Sequence, residues 1–272
     1  MNLKLLLVLS TLTACYLTTA QASQIAIDGN LADWGLHKNG NADDWTPDSS
    51  LNLVLGETYN VEDQHTAYLN PGFGGQAYDA EAMYVHVADG NLYLALITGL
   101  SPNTPNDPLH NSFGPGDFAI DFGQDGSYEF GIQTTGPNQG HVYSNNVAWD
   151  YGLWDADGNY APNNPDTQHP TSIKSGTDIA IGQLVYNGIG FKNMGQYYKD
   201  THYVIEAAIP LLAFAGFSGK FDVHWTMNCA NDAIWADPIL PSQISEPATL
   251  ALLIFGLTGL TYKRMQHALV SI

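Results

Sequence analysis

The residues of this 272-residue chain best suited to chemistry are oxygen-bearing side chains gathered in short turns. Asp155, Asp157 and Asn159 stand at alternate positions of Asp155-Ala-Asp-Gly-Asn159, and Asp121, Asp125 and Glu129 surround the turn Gly123-Gln-Asp-Gly126. Hard cations take several oxygens from flexible loops, so both runs are candidate Ca²⁺ ligand sets. The same spacing also suits plain turn chemistry, in which Asp and Asn side chains cap nearby backbone N–H groups. The first run departs from an EF-hand loop, because Tyr160 stands where that loop's glycine belongs. A second candidate is aromatic. Trp149, Tyr151, Trp154 and Tyr160 crowd one polar stretch. Rings with an apolar body and a polar handle can stack on the C–H faces of sugars, which makes these four a candidate carbohydrate-binding platform. The competing reading is that they plug a loop onto the domain beneath. Trp34 and Trp225, on expected strands, are assigned to the core.

Enzyme signatures are missing. The chain has no His-Glu-x-x-His, no Gly-x-Ser-x-Gly, no phosphate loop and no Cys-x-x-Cys. Its nine histidines do not pair at ligand spacing, and its acids are so many that any two could mimic a glycosidase dyad. The expectation is a protein with no catalytic residues. The alternative is a secreted hydrolase acting on an extracellular polymer.

Charge narrows the partners. Asp and Glu number 27 against 8 Lys and Arg, a formal net charge of −19. Between the two ends the only cations are Lys38, Lys174, Lys192, Lys199 and Lys220, with no arginine. Nucleic acid is excluded as a partner, since phosphate binding needs clustered Lys and Arg. Neutral sugars and cations remain, and the acidity also keeps an exported protein soluble. Cys15 falls in the N-terminal segment, so Cys229 stands alone in the remainder and is expected as a small buried hydrophobe.

The ends carry targeting patterns. Lys4, an apolar run from Leu5, and Ala20-Gln-Ala22 make the basic, apolar and small-residue regions of a secretory signal over residues 1–22, with Ser23 as the new N-terminus. Export machinery and signal peptidase are the implied partners. A rival reading takes Leu12-Thr-Ala-Cys15 as a lipobox with Cys15 lipidated. At the other end, Ala248 to Tyr262 is uncharged and precedes Lys263-Arg264, the pattern of an apolar helix over 248–262 with a basic stop left on the cytoplasmic side. With Glu246-Pro-Ala-Thr-Leu ahead of it, the segment 241–272 resembles the PEP-CTERM sorting signal, a tail also known on ice-binding proteins. That resemblance implies an exosortase-like membrane protease as partner, with cleavage near Glu246-Pro247. It further implies passage through the inner membrane to the cell surface or extracellular matrix. Ser245 stands where the family has its first proline, and Met265 to Ile272 run past the usual end.

Between the ends lies one acidic domain over residues 23–240, long enough for a substantial core. Short alternating or wholly apolar runs, bounded by Gly, Asn, Asp and Pro, predict strands at 24–27, 51–59, 83–88, 92–98, 118–122, 128–133, 179–186, 203–209 and 221–227. Asp89-Gly90 predicts a tight hairpin turn, and residues 92–98, apolar on both faces, a central strand. Loops are expected over 101–116, 134–146 and 157–178, and a short helix over 210–216. The fold class is all-β, a jelly-roll or immunoglobulin-like β-sandwich with long loops. It is flanked by an N-terminal signal helix and a C-terminal transmembrane sorting helix. Ile27-Asp-Gly-Asn-Leu-Ala-Asp-Trp34 resembles the opening of domains related to family 9 carbohydrate-binding modules, which implies a jelly-roll-like sandwich and polysaccharide as a possible ligand class. Asp117–Gly126 and His224–Ile234 resemble segments recurring in PEP-CTERM proteins.

Overall fold

The computed structural model describes residues 25–63, 74–153, 159–162, 164 and 169–240. Its strands are β1 (Tyr59–Val61), β2 (Ala80–Ala88), β3 (Asn91–Thr98), β4 (Phe118–Phe122), β5 (Phe130–Ile132), β6 (His141–Tyr151), β7 (Pro170–Ile181), β8 (Gln183–Tyr186), β9 (Tyr203–Pro210), β10 (Gly219–Thr226), β11 (Ala233–Ala236) and β12 (Ile239–Leu240). Helix among the described residues is limited to short 3-10 turns such as Leu31–Trp34 and Leu211–Phe214. The all-β expectation holds. A five-stranded antiparallel sheet runs β1-β2-β3-β9-β8, and a seven-stranded one runs β11-β10-β4-β5-β6-β7, with β12 paired to β10. The two sheets meet across one apolar cluster, to which β2, β3 and β9 contribute from one side and β4, β5 and β10 from the other.

β3 explains the layering. Leu92, Leu94 and Leu96 face that cluster together with Phe118, Ile120 and Trp225. Tyr93, Ala95 and Ile97 face the opposite way, into a second cluster with Trp34, Trp45, Tyr84 and Val204. A strand apolar on both faces needs cover on both. The second cover comes from the irregular N-terminal stretch, whose Ile25, Leu31, Leu36 and Leu51 are buried there. Each large side chain so buried contributes roughly 1.5–3 kcal/mol. β2 and β3 are joined by Asp89-Gly90, with φ of 49° and 78°. Two positive φ values in a two-residue link match the strand twist, and glycine takes the second without strain.

A buried carboxylate anchors the N-terminal layer. Glu206 of β9 accepts hydrogen bonds from Trp34 Nε1 at 2.7 Å, Gly29 N at 2.5 Å and Asp28 N at 3.2 Å. Burial, against these donors and beside Asp33, pushes the Glu206 carboxyl up to about 7. The Ile27–Trp34 motif therefore owes its residue types to packing: Asp28 and Asn30 shape the turn, and Trp34 fills the cluster.

Several expectations are corrected. The stretches 25–27 and 51–58 are irregular rather than strands, because side chains satisfy their backbone: Asp33 accepts from Ala26 N and Thr58 from Val54 N, both at 2.7 Å. Trp34 is fully buried as expected, but on a 3-10 turn. The expected loops 134–146 and 157–178 overlap β6 and β7, an edge hairpin. Cys229, by contrast, is buried as expected, a free cysteine whose thiol burial pushes up to about 12.

Candidate functional site

The turn between β4 and β5 brings Asp121, Asp125 and Glu129 together, one oxygen of each within 4.8 Å of the others. Much of that carboxylate capacity serves the backbone. Asp121 accepts from Gly126 N at 2.7 Å and Asp125 N at 3.3 Å, Asp125 from Ser127 N at 2.9 Å, and Glu129 from Phe122 N at 2.8 Å. Burial raises the Asp121 and Glu129 carboxyls above their ordinary values. The turn chemistry weighed from the sequence is thus present, alongside a spacing that a cation could share.

The second expected ligand set divides at the boundary of the description. Asn159 is exposed, whereas Asp155 and Asp157 lie outside the described residues. So do Trp154 of the aromatic platform, the cleavage residues Ala20, Ala22 and Ser23, and the sorting residues Glu246, Pro247, Lys263 and Arg264.

The remaining platform residues part company. Trp149 is only 9% exposed, Tyr151 is half-buried, and Tyr160 is 68% exposed. Phe130 and Ile132 point into the inter-sheet core, so Gly131 between them faces outward, and Trp149 lies over it. A Cβ at residue 131 would stand 2.8 Å from the Trp149 ring and 2.7 Å from Ile173, so only glycine admits the indole. Trp149 Nε1 donates to the Tyr128 carbonyl at 3.3 Å, and the Tyr128 ring meets the indole edge-on at 6.4 Å between centroids. By the same alternation Asp222 and His224 lie on this outer face, between core-facing Phe221, Val223 and Trp225. Tyr128 leans on His224, whose ring stacks on His169 at 5.3 Å. Burial and the neighbouring His169 hold His224 well below its usual pKa, which keeps it neutral. The outer face of the seven-stranded sheet thus has an aromatic centre with Asp121 and Asp222 on adjacent strands beside it.

A third constellation escaped the sequence reading. Glu62 follows β1, Asp79 precedes β2 and Asp232 precedes β11, and one oxygen of each lies within 4.8 Å of the others. Asp79 and Asp232 are fully buried. Asp232 accepts from Ala80 N at 2.6 Å and Ala233 N at 2.9 Å. Glu81 and His202, also buried, sit beside them, with His202 Nε2 3.0 Å from Glu81 Oε1. Burial first, then the charges of Glu81, Asp232 and Glu62, push the Asp79 carboxyl far up, to about 10. The one available sequence signal is acids embedded in apolar strand flanks, as in Asp79-Ala-Glu-Ala-Met83. Asp232 stands far along the chain from Glu62 and Asp79, so no spacing rule joins the three.

No family model matches the chain, and no curated protein matches it in sequence.

Proposed function

We propose that the chain is an exported, non-catalytic cell-surface or extracellular-matrix protein. Its N-terminal signal takes it out of the cytoplasm and its PEP-CTERM-like tail hands it to an exosortase-like protease. Its domain, a jelly-roll-like sandwich related to family 9 carbohydrate-binding modules, holds polysaccharide on the outer face of the seven-stranded sheet. One observation carries the binding half of this reading: half-buried Tyr128 and Tyr151 lie near each other and near Asp222, over a floor made by Trp149, on a sheet face turned away from the core. The outer face of an antiparallel sheet is ordinarily polar, and aromatic groups set among polar ones suit a sugar ring. The carboxylates there are engaged, Asp121 with backbone N–H groups and Asp222 with Gln124 Nε2 at 2.5 Å, which supports binding over hydrolysis.

Retention of the mature domain on insoluble polysaccharides tests this. Tyr151→Ala is expected to lower retention several-fold while shifting the melting temperature by no more than about 2 °C, as a change away from the core does. Failure of the wild type to bind any polysaccharide would leave only the surface or matrix role.

A further inference from the structure

We propose that Glu62, Asp79 and Asp232 form a binding site for a hard divalent cation, Ca²⁺, which clamps the two sheets together at one end of the sandwich. The inference is independent of the carbohydrate reading and of the β4–β5 turn.

The decisive residue is Asp79. It is 0% exposed, it faces Glu62 and Asp232, and neither of its carboxylate oxygens accepts a hydrogen bond. An ionised carboxylate in that position is strongly disfavoured unless a cation meets it. The charged groups acting on it are themselves carboxylates, Glu81, Asp232 and Glu62. A single proton shared with Asp232 would satisfy one Asp79 oxygen and leave the other without a donor. One metal ion can engage both.

The geometry suits calcium. Oxygens that all lie within 4.8 Å of one another can touch a single ion at the 2.3–2.6 Å typical of Ca²⁺, because ligands on opposite sides of such an ion stand about that far apart. Three carboxylates form an all-oxygen set of the kind calcium takes and soft metals do not. Mg²⁺ keeps several waters, which a site with two fully buried ligands disfavours.

The fold places these groups by two devices. In β2 the register slips between Ala80 and Ala82, so Ala80 and Met83 both face the inter-sheet core, a spacing that only a bulge allows. At the bulge Ala80 N donates across to Asp232, and Asp79 next to it comes within reach of the same carboxylate. Opposite, Ala80 N and Ala233 N fix the Asp232 carboxylate, and Thr226 Oγ1 donates to its carbonyl. Glu62 and Asp79 flank strands of the five-stranded sheet and Asp232 flanks a strand of the seven-stranded one, so an ion held by all three joins the layers.

The experiment is a thermal melt of the mature chain at neutral pH after chelator stripping, with and without CaCl₂, alongside calorimetric titration. At about a hundred times the dissociation constant, calcium is expected to raise the wild-type melting temperature by about 5–10 °C. Asp79→Asn should abolish the rise, and Asp125→Asn should keep it. If Asp79→Asn does not fold, Glu62→Gln, at the less buried rim, should weaken calcium binding by at least about ten-fold with the fold intact by circular dichroism. Three outcomes would overturn the inference: no calcium shift in the stripped wild type, a shift lost in Asp125→Asn but kept in Asp79→Asn, or stabilisation by acid alone with none by calcium.

Discussion

Trp149 and Tyr160 look alike in the sequence, two rings in one polar stretch, yet the fold gives them opposite roles. Trp149 stands on β6 over Gly131 and is almost covered, while Tyr160 lies in the connection beyond it, 68% exposed. Trp149→Ala is therefore expected to cost roughly 3–5 kcal/mol in urea unfolding, as truncation of a buried ring does. Tyr160→Ala should stay within about 0.5 kcal/mol. A small loss at Trp149 would mean that the indole contributes surface rather than packing. Composition reveals that rings are crowded but not which of them is floor, because that depends on which strand passes beneath. The acidic turn was easier to read. Asp121, Asp125 and Glu129 are neighbours in the chain and remain so in space, whereas Asp79 and Asp232 meet only after both sheets form.

At the scale of elements, β3, β4, β9 and β10 are legible because each is a short apolar or alternating run bounded by turn residues, and the core dictates both. β6 and β7 are not. Together they form an edge hairpin in which Lys174 to Asp178 are exposed, and a strand with little to bury has no period-two pattern to detect. Positive φ at Asn145 and Asn146 and repeated register shifts bend β6 further from a regular strand. β11 and β12 are too short to announce themselves. β9 carries a pH consequence through Glu206. Its folded carboxyl sits at about 7 against 4.5 for a free glutamate, and burial likewise lifts Asp117, bonded to Thr134 N and Ile173 N, to about 6 from 3.8. From about pH 4 upward the folded chain holds protons that the unfolded chain releases, so stability falls as pH rises; the Glu206 and Asp117 contributions are lost by about pH 7, and in metal-free protein Asp79, with its carboxyl at about 10, carries the fall further. The Glu206 share is on the order of 3 kcal/mol. Melts in chelator are expected to show a lower melting temperature at about pH 8 than at about pH 5. Glu206→Gln should flatten that slope, and an unchanged slope would assign it to other groups.

For the whole molecule, the excess of acids and the two terminal patterns argue for life outside the cytoplasm. Intact-mass measurement and N-terminal sequencing of protein from its native host are expected to find Ser23 first and the tail beyond Glu246 missing. A stable membrane-bound form keeping residues 248–272 would contradict the processing step. The anchoring of the N-terminal layer has a bearing on when such a chain can close. Trp34 and Gly29 hang on Glu206, and the cluster they seal includes Val204 and Met194. The first residues of the domain to be synthesised thus dock against some of the last. Contacts so far apart in sequence form slowly, since a long loop must close before they stabilise anything. A half-made chain offers its N-terminal stretch β2 and β3 but not β9, so the Glu206 anchor and the Val204 side of the cluster are missing until late in synthesis. Under the export proposed above, late closure would be an advantage: the domain locks only once β9 has arrived.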